Sequence, residues 1–105
     1  MDINLLFESK FLKPSDLQGR RVDKVIEEVK LEKIRDEAKP VCYFEGMQKG
    51  LVLNKTNSMM IAAIAGTPDT DRWPKTEVTL YPTKVPFEGR IVDSIRVDAK
   101  LPKAV

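Results

Sequence analysis

With 105 residues, 42% of them apolar and 32% charged, the chain is the size of one domain and carries enough apolar side chains for a core. That mixture argues against disorder, a collagen-like repeat or a membrane span. Histidine is absent and Cys42 is the sole cysteine, which excludes histidine-based triads, Cys–His dyads, zinc sites built on cysteine and histidine, and intrachain disulfides. Eighteen basic against sixteen acidic residues leave +2, so any electrostatic argument rests on where the charges lie.

The acids crowd towards the N-terminal half, from Asp2 through Glu8, Asp16, Asp23, Glu27, Glu28 and Glu32 to Asp36 and Glu37. From Met47 to Arg96 the balance is slightly positive. The first residues include Ile3, Leu5, Leu6 and Phe7 but also Asp2 and Glu8, with no basic leader and no apolar run long enough to span a membrane. Residues 1–14 are therefore expected to form an arm. A lone cysteine without an export signal points to the cytoplasm.

In chain order, residues 21–34 are ambiguous. Val22, Val25, Ile26 and Val29 repeat at helical spacing, whereas the β-branched content suits a long strand with an irregularity near Ile26. Taken locally the pattern leans towards helix. The run from Lys39 to Gly46, with Val41, Cys42, Tyr43 and Phe44, reads as a strand. Leu51–Asn54 reads as another, joined to it as a hairpin by the loop holding Gly46 and Gly50. Thr56 or Asn57 is expected to cap an almost wholly apolar helix, Ser58–Ala65, closed by Gly66. So apolar and short a helix should be nearly engulfed, plugging one end of a sheet or barrel.

Residues 67–75 are a loop by composition, with Trp73 inside it. Thr76–Tyr81 alternates as a half-buried strand with Val78 and Leu80 on one face, Pro82 and Pro86 frame Lys84 and Val85, and a last strand begins at Gly89. Residues 99–105 are expected to be a loose tail.

If residues 21–34 are a strand, the order is long strand, strand, strand, short helix, strand, strand. That is the layout of an OB-fold: a mainly β, five-stranded Greek-key barrel with one helix between its third and fourth strands, here over residues 15–98. A bend in the long first strand fits, because that strand serves both halves of the barrel. If they are a helix, a small α+β sandwich results.

The combination Gly50-Leu51-Val52-Leu53-Asn54-Lys55-Thr56-Asn57, Gly66, Trp73, Lys75, Val78-Thr79-Leu80-Tyr81-Pro82, Gly89 and Ile95-Arg96-Val97 resembles a family of small phage and prophage proteins encoded among DNA-metabolism functions. The resemblance covers residues 43–97 and departs at Pro74, where a glycine is common. It implies a phage or prophage origin, an OB-like domain, and single-stranded DNA as ligand.

Single-strand binding needs aromatic faces for the bases and cations for the phosphates. The candidates are Tyr43, Trp73 and Tyr81, with Lys49, Lys55, Arg72, Lys75, Lys84, Arg90 and Arg96. Arg72-Trp73-Pro74-Lys75 is the most suggestive piece, with a cation on either side of an indole. Lys55 lies near a helix N-terminus, where an anion is favoured. Each has a structural alternative: the aromatics as core or cross-strand packing, and the stretch around Lys55 as a cap and turn. Glu27-Glu28, Asp69 with Asp71, and Asp93 read as solvated carboxylates, and Cys42 as a small buried apolar group.

The expectation is a non-enzymatic module without metal or cofactor that holds single-stranded DNA over its first three strands with help from the Trp73 loop. The alternative is a phage protein-interaction or assembly module, using the barrel face and the Leu5-Leu6-Phe7 arm.

Overall fold

A computed structural model describes residues 11–100. Residues 21–34 resolve as strand: β1 is Val22–Ile34, followed by β2 (Glu37–Phe44), β3 (Leu51–Val52), helix α1 (Lys55–Ala65), β4 (Glu77–Phe87) and β5 (Arg90–Ala99), with 3-10 turns at Pro14–Leu17 and Thr70–Arg72. The strands form one open antiparallel sheet in the order β3-β2-β1-β4-β5. The Leu5-Leu6-Phe7 part of the arm and residues 101–105 of the tail lie outside the described residues.

Two long hairpins make up most of this sheet. β1 and β2 meet across Arg35 and Asp36, and β4 and β5 across Glu88 and Gly89. All four turn residues have positive φ, as two-residue turns matched to the strand twist require. The hairpins are joined where Val22, Asp23, Lys24 and Val25 pair with Leu80, Thr79, Val78 and Glu77. Just beyond, β1 changes partner, and the register on β2 shifts between Ile26 and Glu28. The extra residue re-aims the strand, so that Ile26 and Val29 both reach the core side although an unbroken strand would turn them to opposite faces.

The core gathers Ile26, Phe44, Val78, Leu80, Ile95 and Val97 from the sheet, Ile61 from α1, and Leu17 and Trp73 from the connecting segments. At the arm, Leu12 donates its N–H to the Gly50 carbonyl (2.8 Å) and packs on the core, so the chain is docked from Phe11 onward. Gly50 itself lies so close to β2 that an added Cβ would stand 2.5 Å from the Val41 side chain and 2.9 Å from the Tyr43 ring.

Three local expectations are corrected. The cap of α1 is Asn54, not Thr56 or Asn57: its side chain accepts from the Asn57 N–H (2.8 Å), and the helix starts at Lys55. Gly66 closes it in the left-handed region as expected. Second, α1 is not engulfed. Only Asn57 and Ile61 are fully buried, and Met59 is 62% exposed, because the sheet covers one side of the helix alone. Third, β4 does not stop at Tyr81 but runs on through Pro82 and Pro86 to Phe87. Each proline stands opposite a β5 residue, Ile95 or Ile91, at a position that exchanges no hydrogen bond with β5, so its missing N–H costs the ladder nothing.

Among the described residues, no helix is long and apolar enough to cross a membrane.

Candidate nucleic-acid interface

The ten sequence-proposed residues do not form one patch. Trp73 is only 2% exposed, and its indole N–H donates to the Thr67 carbonyl (2.9 Å). Its ring belongs to the core, which corrects the expectation of a mobile stacking residue: no base reaches its face without displacing it. Its neighbours Arg72 and Lys75 are exposed, but Lys75 pairs with Glu45 (3.2 Å) and its backbone N–H is tied to the Ile26 carbonyl (2.8 Å). The cation–indole–cation clamp is therefore absent.

Tyr43 projects from β2 opposite Glu28 of β1. Its hydroxyl donates to the Glu32 carboxylate, and this hydrogen bond is the main reason its pKa is pushed up to about 12. The Lys30 ammonium lies 5.6 Å from the ring centroid. Tyr43 is thus already engaged, and the carboxylates beside it oppose an anionic ligand. The expected groove over the first three strands loses its aromatic platform.

Several lysines are also committed. Lys49 pairs with Asp16 (3.2 Å) and Lys84 with Asp93 (2.8 Å). The Asp16 carboxyl is held below its usual range, chiefly because it accepts the Lys13 backbone N–H. Lys55 is exposed at the start of α1. Cys42 is fully buried, and burial pushes its thiol up to about 12, as suits an inert core group.

What the fold does bring together lies on the outer face of the β4–β5 hairpin. Tyr81 stands opposite Arg96, Thr83 opposite Ser94, Val85 opposite Val92 and Phe87 opposite Arg90. Side chains alternate along a strand, so these eight share the face turned away from Leu80, Ile95 and Val97. The strip holds two aromatics and two arginines and no carboxylate. Arg21 adds a third guanidinium, 4.7 Å from the Tyr81 ring centroid, steadied by Asp98 (3.1 Å).

Phe87 is 56% exposed, while one terminal nitrogen of Arg96, Nη1, is buried without an acceptor. Arg21 and Phe87 were not among the sequence candidates. Phe87 was within reach, since a two-residue turn at Glu88-Gly89 sets it opposite Arg90. Nothing local announces Arg21, whose place depends on the β1–β4 pairing.

Among the described residues, no cluster of acidic or cysteine side chains is placed to hold a metal ion. No family model matches the chain, and comparison with curated proteins and with solved structures returns no match.

Proposed function

We propose that the chain is a non-enzymatic OB-fold module that binds single-stranded DNA, in phage or prophage DNA metabolism, through the outer face of its β4–β5 hairpin. The fold reading is supported by the order β3-β2-β1-β4-β5, with one long bent strand shared between two halves and a helix between β3 and β4. The observation that carries the ligand is the strip itself. Phe87 and the face of Tyr81 not covered by Arg21 offer rings, and Arg21, Arg90 and Arg96 offer cations alongside them. Bases stacked on the rings and phosphates on the guanidinium groups give affinity without base preference.

Anisotropy of labelled oligo-dT and of duplex DNA tests this at low and moderate salt. Binding is expected for the single strand only. If about four phosphates are neutralised, affinity falls roughly a hundredfold between about 50 and 300 mM salt. Arg96→Ala and Tyr81→Ala should each weaken binding about tenfold or more, whereas Trp73→Phe leaves it unchanged. Salt-insensitive binding, or full affinity in both the Arg96 and Tyr81 variants, sinks the reading.

A second reading, a protein-interaction module, is favoured by one observation: Leu31, Phe87 and Ile91 are large apolar side chains exposed near the hairpin turns.

A further inference from the structure

We infer that a row of carboxylates ends the DNA track at the seam between the hairpins, so that the strip takes a short run of about six unpaired nucleotides and does not follow a long strand. The inference rests on the β4–β5 strip being the DNA face. Two neighbouring rows across the sheet carry it. In the first, Tyr81 of β4 has Arg96 opposite it on β5 and the Arg21 guanidinium 4.7 Å from its ring centroid on the β1 side. In the second, Thr79 of β4 has Asp23 opposite it on β1 and Asp98 opposite it on β5. Residues two apart on a strand share a face, so both rows lie on the same outer surface. The first is cationic and aromatic, and the one beside it is anionic.

The acidic row is fixed by its own contacts. The Thr79 hydroxyl donates to Asp23 Oδ1 (2.6 Å), and Asp98 Oδ2 accepts from Arg21 (3.1 Å). Arg21 partly offsets Asp98, whereas Asp23 is an exposed carboxylate held by a neutral hydroxyl. Beyond them on β4 comes Glu77, already paired with Lys100 (3.2 Å). The two rows stand about 7 Å apart along the strand. That is inside the Debye length of about 8 Å at physiological salt, so a phosphate carried past Tyr81 meets the repulsion of Asp23 almost unscreened.

The hairpin sets the other end. Phe87 and Arg90 are the last facing pair before Glu88-Gly89, where the chain turns back. About 20 Å of strand separates Tyr81 from Phe87. At roughly 3.4 Å per nucleotide in a stacked strand, that length holds about six. The ligand class is therefore a short single-stranded stretch, such as a gap or a tail, near the lower end of the ~4–16 nucleotides that single-strand-binding barrels cover.

The test is anisotropy of labelled oligo-dT of about three, six, twelve and twenty-four nucleotides at about 150 mM salt, with the wild-type chain, Asp23→Asn and Asp23→Lys. Corrected for the number of overlapping registers, wild-type affinity should rise steeply up to the six-nucleotide strand and by less than about twofold beyond it. Asp23→Asn keeps the size of the side chain and an acceptor for Thr79, which thermal melting checks. It should strengthen binding of the twelve-nucleotide strand about two- to fivefold and change the six-nucleotide strand by less than about twofold. Asp23→Lys adds a cation at the end of the track and should steepen the salt slope for the twelve-nucleotide strand by about 0.7, one further phosphate neutralised. A corrected wild-type affinity that climbs about tenfold or more from six to twelve nucleotides overturns the inference. So do Asp23 variants whose gain is absent or equal at both lengths. In either case the strip still binds DNA, whereas no binding at any length overturns the proposed function and this inference with it.

Discussion

Trp73→Ala should cost about 3–5 kcal/mol of folding stability, as deletion of a large buried ring does, which is a major fraction of what a domain this size possesses. The indole is packed against the core and fixed at its one polar atom by Thr67, so its removal leaves both a cavity and an unpaired carbonyl. Urea unfolding followed by far-ultraviolet circular dichroism measures the loss, since the fluorophore itself is gone. Trp73→Phe should fall between the two, keeping most of the volume and losing the N–H. A loss under about 1 kcal/mol for the alanine variant would mean that the ring is not packed as described.

Ile26→Ala should be nearly as damaging, at about 2–5 kcal/mol, while Leu31→Ala on the same strand should change stability by less than about 0.5 kcal/mol. Ile26 is fully buried at the point where β1 changes partner, with its N–H bonded to the Thr76 carbonyl (2.9 Å) and its carbonyl accepting from the Lys75 N–H (2.8 Å). Leu31 is 76% exposed beyond the bulge. The same denaturation experiment on both variants checks the contrast; comparable losses would place Leu31 in a packed environment.

Much of the architecture was legible because hydrophobic period and turn chemistry are local. β2, β3, the helix and the onsets of β4 and β5 follow from them. β1 did not, since an apolar spacing compatible with a helix became a strand through its pairing with two others. The irregularity near Ile26 was readable all the same. The proline positions in β4 show the limit: a sequence tells that an N–H is missing but not which side of the strand it would have faced. Trp73 fails as a reading for a similar reason. Its segment is polar and turn-rich, and only the tertiary fold shows that the indole turns inward while its neighbours stay in water. Tyr43 was placed on an outer face, but its engagement with Glu32 depends on the β1–β2 register. The Tyr81–Arg96 pair was among the candidates as two separate residues, and the hairpin register is what makes it a pair.

The narrow junction between the hairpins has a kinetic consequence. Each hairpin closes over two residues at little entropic cost, whereas the four pairs joining β1 to β4 must wait until β2, β3 and α1 are in place between them. Long-range pairing is the slow part of β-sheet folding, so the expectation is that this seam sets the rate. Stopped-flow refolding should then slow for conservative truncations at Val22 or Leu80 and stay near the wild-type rate for truncations beside either turn; the reverse pattern would make a hairpin the nucleus.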